Sequence, residues 1–301
     1  MTARIHLVGL GAVGAAYAAR LVDSGADLKI VADPERAARY RGEPTVVNGR
    51  SYSFDVLADD ATADLVLVAV KRPHLAAAIE LLRPGIRPGT VVLSLLNGID
   101  SEAELSRALP DASVLYAVCV GIDAVRTGRS VRYTSLGRIL FGEAINTPPS
   151  TPVSWVAGLL ADTGIPHAIP PDMQRELWWK FLVNVGANQV SAILRAPYRV
   201  LQDRDQPARQ VMLAAQREVI AVANASGIAL GEADLDRWLT VLDELGPDSF
   251  TSMAQDAAAG RPTEVDAFAG AMIDLGRRTG VEVPVNTTLY GLLKGAEAHP
   301  A

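Results

Sequence analysis

The amino-acid sequence predicts an α/β fold in which a doubly wound parallel sheet is followed by an all-helical domain. Short apolar strands alternate with helices up to about residue 170, and helical periodicity dominates from Met173 onward. Such alternation is typical of parallel sheets with right-handed crossovers. We therefore predict two domains, residues 1–170 and residues 171–301.

A glycine triplet near the N-terminus is the most informative motif of the first domain. It lies between the apolar run Ile5–Val8 and an alanine-rich helix over Ala15–Leu21. In this context the first glycine permits a tight turn, the second lets a pyrophosphate approach the backbone, and the third allows close helix–strand packing. A glycine-rich turn without a ligand is the alternative. The strand and helix context favours a Rossmann-type dinucleotide site, with cofactor-binding residues Gly9, Leu10, Gly11, Ala12, Val13 and Gly14.

The end of the predicted second strand carries an acidic residue. Asp33 follows the strand Leu28–Ala32 and stands 19 residues after Gly14. A carboxylate at this position accepts hydrogen bonds from an adenosine ribose and repels a 2′-phosphate. Because Pro34 follows it, Asp33 also has the pattern of a helix N-cap. The two roles are compatible, and we predict that Asp33 contacts the cofactor.

Two further candidate residues follow strand ends. Lys71 comes after the strand Asp64–Val70, and Asn97 comes after the strand Thr90–Leu96. Ligands on doubly wound sheets bind beyond the carboxyl ends of the strands. Gly9, Lys71 and Asn97 are therefore expected to face one crevice.

Two smaller features concern strand pairing. Asn48-Gly49 lies between β-forming residues and predicts a hairpin turn in a small antiparallel insertion. Residues 131–134 and 138–142 are predicted to form an antiparallel pair that finishes the main sheet. Residues 166–171 are predicted to provide a last short edge strand.

Composition excludes several classes of protein. Hydrophobic residues make up 49% of the 301 residues, enough for a sizeable core, and the net charge of −6 provides no electrostatic footprint for nucleic acid. The single cysteine, Cys119, excludes an internal disulfide. The sequence contains no 18-residue uncharged apolar stretch, and the first strand leaves no room for a signal peptide. We expect a cytoplasmic protein without nucleic-acid or membrane partners.

The helical half contains a polar stripe. Lys180, Asn184 and Asn188 are spaced four residues apart on a helix that is otherwise apolar nearly all round. Buried polar groups need partners, so this stripe is a candidate site; a solvated stripe is the alternative. The predicted helices cover residues 174–193, 205–226, 232–244, 249–258, 263–279 and 286–296.

Two later segments add candidates. Ser252 lies in Phe250–Asp256, which opens a helix, and Glu264 lies in Gly260–Asp266, which leads into another. The alternative for Glu264 is a first-turn acid that complements the helix dipole.

The chain resembles the ketopantoate reductases (2-dehydropantoate 2-reductases) nearly from end to end. The order and spacing of the shared segments are specific, although the glycine triplet by itself is not. The resemblance rests on the triplet, Val70-Lys71, Leu96-Asn97-Gly98 with Glu102, Glu176–Asn184, Ser252-Met253 with Gln255-Asp256, and Thr263–Asp266.

The resemblance implies a 6-phosphogluconate-dehydrogenase-like oxidoreductase. In this family a nicotinamide hydride reduces ketopantoate to D-pantoate for pantothenate and coenzyme A biosynthesis. The matching catalytic residues are Lys180, as the proton donor, and Glu264, which accepts the terminal hydroxyl of the substrate. The matching substrate-binding residues are Asn97, Asn184, Asn188 and Ser252. Lys71 and Asn97 match positions beside the nicotinamide.

Two departures from the family pattern keep alternatives open. The family usually has an arginine where Asp33 stands, so NADP(H) is the cofactor that the family implies and Asp33 introduces NAD(H) as the alternative. Arg36 and Arg39, a turn further on, would compensate in part. Ser249 replaces a substrate-binding asparagine.

The alternative functions are an NAD-dependent dehydrogenase of other D-2-hydroxy acids and a non-catalytic dinucleotide sensor. Retention of Lys180, Asn184 and Glu264 together argues against the sensor, which needs none of them. The expected partner is a small 2-keto acid, without a metal ion, and the apolar helical half is compatible with a homodimer.

Overall fold

The computed structural model describes residues 3–58 and 61–299 of the chain. The chain separates into two compact units, Met1–Leu177 and Trp178–Ala301. The division falls inside the helix Met173–Val183, a few residues beyond the boundary predicted at residue 170.

The first unit contains a seven-stranded sheet with the strand order β11-β10-β7-β6-β5-β1-β2. All neighbouring strands are parallel except β10, which runs antiparallel to β7. The predicted α/β class is thereby confirmed. The strands described in this unit are β1 (Arg4–Val8), β2 (Asp27–Val31), β3 (Thr45–Val47), β4 (Arg50–Tyr52), β5 (Leu65–Val68), β6 (Val91–Ser94), β7 (Ser113–Ile122), β8 (Val125–Thr127), β9 (Ser130–Arg132), β10 (Leu136–Gly142) and β11 (His167–Ala168).

Helices cover both faces of this sheet. They are α1 (Ala12–Asp23), α2 (Pro34–Gly42), α3 (Leu75–Leu82), α4 (Ser101–Ala108), α5 (Thr151–Asp162) and the start of α6 (Met173–Val183). The central strands are apolar throughout because both of their faces are buried. In β5, Leu65 and Leu67 pack into one core cluster and Val66 and Val68 into another, as the two-residue period of a strand requires.

The hairpin at Asn48-Gly49 is confirmed, but it belongs to a second sheet. Asn48 and Gly49 have φ values of 47° and 83°, and they join β3 to β4. A positive φ at both turn residues matches the right-handed twist of the strands. These strands continue into β9 and β8, which gives a four-stranded sheet in the order β4-β3-β9-β8.

The predicted pairing of residues 131–134 with 138–142 is wrong. Strand β10 instead pairs along β7, from Leu136 opposite Ile122 to Gly142 opposite Tyr116. Strand β7 runs for ten residues, and its stretch from Tyr116 to Ile122 provides the partner for β10. The predicted edge strand is present as β11, parallel to β10.

The second unit is helical, as predicted. Its helices after α6 are α7 (Gln189–Leu194), α8 (Arg199–Gln202), α9 (Pro207–Ala225), α10 (Glu232–Glu244), α11 (Ser252–Ala258), α12 (Ala271–Thr279) and α13 (Pro284–Ala298). The predicted bounds of α10 are confirmed, whereas α8 was not predicted. Two π-helical turns, Asn184–Asn188 and Asp266–Gly270, interrupt segments that the sequence predicts as continuous α-helices. None of the described helices has the length and low charge that are needed to cross a bilayer.

A buried polar cluster joins the end of β6 to the start of α4. Ser94 Oγ lies 2.8 Å from Ser101 Oγ, which donates to Glu102 Oε2 at 3.0 Å. Backbone N–H groups of Glu102 and Ala117 also donate to this carboxyl group. Glu102 is 4% exposed, and its burial raises its pKa from 4.5 to about 7.

The raised pKa of Glu102 predicts a pH dependence of stability. Between pH 4.5 and about 7 the folded protein keeps a proton that the unfolded chain has released. This proton contributes to the free energy of unfolding by an amount on the order of 3 kcal/mol. The contribution is fully present below pH 4.5 and is lost as the pH rises to about 7. In Glu102→Gln, which cannot ionise, this fall should disappear from urea unfolding curves measured across that range. Glu104→Gln, in the same helix, is the control, and parallel pH curves for wild type and Glu102→Gln would contradict the prediction.

Candidate functional site

A cleft of about 900 Å³ lies at the carboxyl ends of β1, β2 and β5. Its lining includes the predicted cofactor residues Gly9, Leu10, Gly11, Asp33 and Lys71. Ala12, Val13 and Gly14 form the first turn of α1, directly behind this edge. The structure therefore brings most of the predicted cofactor residues to one place.

The three glycines differ in what surrounds them. A Cβ at Gly9, where φ is 99°, would lie 2.7 Å from backbone atoms of Ala69, and a Cβ at Gly14 would lie 1.9 Å from the Gly9 carbonyl oxygen. A Cβ at Gly11 would meet its nearest neighbour, the Ala69 carbonyl oxygen, only at 3.9 Å. Gly9 and Gly14 are thus required by the fold itself. Gly11 keeps open the side from which a ligand would approach the N-terminus of α1, whose first N–H groups have no partners within the helix.

Asp33 both caps a helix and lines the cleft. Its Oδ1 accepts the backbone N–H of Arg36 at 2.8 Å, and its Oδ2 pairs with Arg36 Nη1 at 3.1 Å. The predicted N-cap of α2 is therefore present. Its place in the lining is compatible with the ribose contact, which stays a prediction.

Two arginines of the second sheet also line the cleft, and the sequence analysis did not identify them. Arg126, on β8, donates to the carbonyl oxygens of Leu10 and, at 2.9 Å, Gly128. Arg129, in the β8–β9 turn, pairs with Glu43 at 2.8 Å. The sequence around these arginines contains only a glycine that indicates a turn. The place of this turn in the fold depends on the pairing of β9 with β3, which no local pattern reveals.

Lys71 and Asn97 follow neighbouring strands, as predicted. Lys71 is exposed after β5 and lines the cleft with Gly9. Asn97 follows β6, which pairs with β5, but it is not part of the cleft lining. Gly9 and Lys71 therefore line one cleft, as predicted. Asn97 lies outside this lining, after the neighbouring strand β6.

In the helical unit, Lys180 and the two asparagines do not follow a regular α-helix. Lys180 is half-buried near the end of α6, whereas Asn184 and Asn188 are 4% and 6% exposed within the π-helical turn. The predicted continuous α-helix is therefore wrong after Val183, whereas the grouping of Lys180, Asn184 and Asn188 stays a prediction. Such π-helical turns often occur at functional sites.

Aromatic contacts hold α6 around Lys180. The rings of Trp178 and Phe181 meet edge to face, with centroids 5.9 Å apart. Trp179 donates its indole N–H to the Asp234 carbonyl oxygen at 3.1 Å. These contacts fix the helix on either side of Lys180, which limits the directions its side chain can take.

Ser252 is the exposed first residue of α11. The preceding residue, Thr251, caps this helix by accepting the N–H of Ala254 at 3.1 Å, and its Oγ1 lies 2.6 Å from Ser191 Oγ. This contact ties the start of α11 to α7. Ser191 and Thr251 therefore position Ser252, and only the structure identifies this role.

Glu264 lies just before the second π-helical turn. Its carbonyl oxygen accepts the N–H groups of Ala267 and Phe268 at 3.0 and 3.2 Å. The Phe268 ring in turn packs against Phe181, with centroids 6.5 Å apart. Lys180 directly precedes Phe181 in the sequence, and Glu264 lies about one helical turn before Phe268.

Comparisons with known proteins match both halves of the chain. The model of the family described as "Ketopantoate reductase PanE/ApbA" matches residues 5–146, and that of its C-terminal part matches residues 172–297. A 2-dehydropantoate 2-reductase of Halobacterium salinarum is 31% identical over 237 residues, which are 79% of this chain and 77% of that protein. One of Mycobacterium tuberculosis strain CDC 1551 is 29% identical over 308 residues, with 100% of each chain covered.

A solved structure supports the same relationship. The crystal structure of 2-dehydropantoate 2-reductase from Geobacter metallireducens GS-15 is 28% identical, with a TM-score of 0.83 over 97% of this chain and 99% of that chain. Together, the two matched segments and the similarity over the whole length establish that the chain belongs to the ketopantoate reductase family.

Proposed function

We propose that this protein is a 2-dehydropantoate 2-reductase, an oxidoreductase that reduces ketopantoate to D-pantoate. Membership of the family across both halves of the chain carries this proposal. The glycine-lined cleft of the first unit and the lysine–asparagine segment of the second provide the groups that the reaction needs.

The cleft fits a nicotinamide dinucleotide, which supplies the hydride when bound. Gly11 leaves space at the N-terminus of α1, where backbone N–H groups would bind a pyrophosphate. Lys71 and Asn97 follow the adjoining strands and are proposed to lie beside the nicotinamide and the substrate. The residues of this chain therefore bind and orient the cofactor.

Lys180 is the proposed proton donor. As the hydride arrives, the keto oxygen of the substrate becomes alkoxide-like, and an ammonium group stabilises this charge before it transfers a proton. Lys180 is half-buried on a helix that its aromatic neighbours hold in place. A fixed cation of this kind loses little freedom when the substrate binds.

The polar residues around Lys180 are the proposed substrate contacts. Asn188 is 6% exposed and lies in the π-helical turn. Its amide offers both hydrogen-bond donors and an acceptor, so Asn188 is well suited to bind a polar ligand. Asn184 and Ser252 would bind further oxygens of the substrate, and Glu264 would accept its terminal hydroxyl.

Activity assays with purified protein test this function. NADPH or NADH should be oxidised with ketopantoate at a higher kcat/KM than with other 2-keto acids in a panel. Higher kcat/KM with other branched or aromatic 2-keto acids would instead support the D-2-hydroxy-acid dehydrogenase that Asp33 and Ser249 suggest. Dinucleotide binding without turnover would support the sensor, and the homodimer stays a prediction for sedimentation analysis.

The glycine turn predicts two different effects of the same substitution. In Gly11→Ala the new Cβ makes only an ordinary van der Waals contact, 3.9 Å from the Ala69 carbonyl oxygen, so the Tm should stay near that of the wild type while the Kd for the dinucleotide rises roughly 10-fold or more. Gly14→Ala clashes with the Gly9 carbonyl oxygen and should lower the Tm. Differential scanning calorimetry and fluorescence titration separate the two effects. Unchanged dinucleotide affinity in Gly11→Ala would place the ligand elsewhere.

The general-acid role predicts the kinetics of Lys180 variants. Lys180→Ala should lower kcat about 100-fold or more and leave the dinucleotide Kd nearly unchanged. Lys180→Arg keeps the positive charge but cannot release its proton at neutral pH, so it should also remain slow. Rapid turnover by Lys180→Arg would show that charge alone is sufficient, and near-normal turnover by Lys180→Ala would remove Lys180 from the mechanism.

Glu264 predicts a change in substrate selectivity. Loss of a hydrogen-bond partner for a substrate hydroxyl costs about 1–3 kcal/mol, so Glu264→Ala should lower kcat/KM for ketopantoate roughly 5- to 150-fold. α-Ketoisovalerate lacks this hydroxyl and should be affected much less. Glu282→Ala, which removes an exposed acid before α13, is the control. Equal losses for both substrates would show that Glu264 does not bind the hydroxyl.

A further inference from the structure

Four arginines line the nucleotide cleft, and they differ in how their charge is balanced. Arg36 pairs with Asp33 at 3.1 Å, and Arg129 pairs with Glu43 at 2.8 Å. In the part of the chain that the structure describes, the other two cleft arginines, at positions 39 and 126, have no carboxylate partner.

The acids of the cleft lining cannot supply that partner. The lining contains two acids, of which Asp33 is engaged with Arg36 and Glu80 is paired with Arg83 at 2.8 Å. Arg126 is half-buried, and the hydrogen bonds of its guanidinium go to backbone carbonyl oxygens. Its positive charge is therefore held in place beside the glycine turn without a counter-ion.

The two unbalanced arginines also act on each other. Burial lowers the pKa of Arg126; Tyr40 acts against this shift, and the positive charge of Arg39 acts in the same direction as burial. Arg39 projects from α2 and lies over the ring of Tyr40, with its guanidinium carbon 5.5 Å from the ring centroid. Two like charges that face one cleft repel each other, so an anion bound there would be stabilised by both.

The position of this pair distinguishes between the phosphates of a dinucleotide. The pyrophosphate belongs at the N-terminus of α1, whereas the adenosine ribose lies at the end of β2, where α2 begins. Arg39 is on α2, and Arg126, whose guanidinium donates to the Leu10 carbonyl oxygen at the neighbouring turn, is close enough to α2 for the charge of Arg39 to act on it. The charge of Asp33, which would oppose a 2′-phosphate, is offset by its ion pair with Arg36.

We propose that Arg39 and Arg126 bind the 2′-phosphate of NADPH and thereby select NADPH, although an aspartate stands at the end of β2. This inference rests on the proposed function, because it requires a nicotinamide dinucleotide in the cleft. The phosphate would receive charge-assisted hydrogen bonds from one guanidinium on each side. Asp33 then serves as the cap of α2 and as the partner of Arg36.

Equilibrium binding tests the proposal without reference to turnover. Nucleotide fluorescence would give the Kd of NADPH and of NADH for wild type, Arg39→Gln, Arg126→Gln and the double variant. We expect wild type to bind NADPH more tightly than NADH. Each single variant should raise the NADPH Kd on the order of 10-fold, or about 1.4 kcal/mol, with the NADH Kd within about 2-fold of wild type. Adenosine 2′-monophosphate should compete with NADPH in wild type and lose this ability in the double variant.

Two controls separate a phosphate contact from a structural role. Arg132→Gln removes an exposed arginine of β9 outside the cleft lining and should change neither Kd. Because Arg126 also donates to the Leu10 carbonyl oxygen, Arg39→Gln is the decisive variant: it leaves the glycine turn intact.

The possible outcomes separate this inference from the proposed function. Equal losses of NADPH and NADH affinity, or no loss in Arg39→Gln, overturn the 2′-phosphate assignment and leave the reductase proposal in place. A wild-type protein that binds neither dinucleotide overturns both.

Discussion

The close approach of helix α1 to the turn after β1 is the constraint on which the nucleotide cleft depends. A Cβ at Gly14 would lie 1.9 Å from the Gly9 carbonyl oxygen, and one at Gly9 would collide with the backbone of Ala69. Only two glycines let α1 start directly at the edge of the sheet with its first N–H groups facing the cleft. The position of Gly11 at the edge of the cleft follows from that contact.

Charge pairing determines what the cleft can bind. Each acid of the lining is engaged by an arginine, and the second sheet adds Arg126 and Arg129 to the lining. The site thereby becomes cationic although the chain as a whole carries a net charge of −6. Local placement of charge therefore says more about the ligand than net charge does.

The helical unit shows a comparable dependence on local distortion. Its two π-helical turns follow Lys180 and Glu264 in sequence, and Phe181 and Phe268 pack together between the two segments. An inserted residue disturbs the regular hydrogen bonding of a helix, and such turns are often retained where they place side chains for function. In this unit the turn contains Asn184 and Asn188, both of which the family resemblance assigns to the substrate.

The amino-acid sequence was sufficient to predict the α/β class, the glycine turn, the hairpin at Asn48-Gly49, the bounds of α10 and the strands that Lys71 and Asn97 follow. These features depend on residues that are close together in the chain: apolar periodicity, turn residues and caps. The family resemblance, which rests on short motifs in a fixed order, was equally accessible.

Four features became apparent only in the folded chain: the partner of β10, the second sheet, the π-helical turns and the presence of Arg126 in the cleft. Residues 130–132 and 138–142 both have the pattern of a strand, but which strand each pairs with depends on contacts far apart in sequence. The same holds for Arg126, which lies 116 positions from Leu10 along the chain and beside it in the fold. Local patterns specify the elements, whereas the choice among competing partners is made by packing of the whole chain.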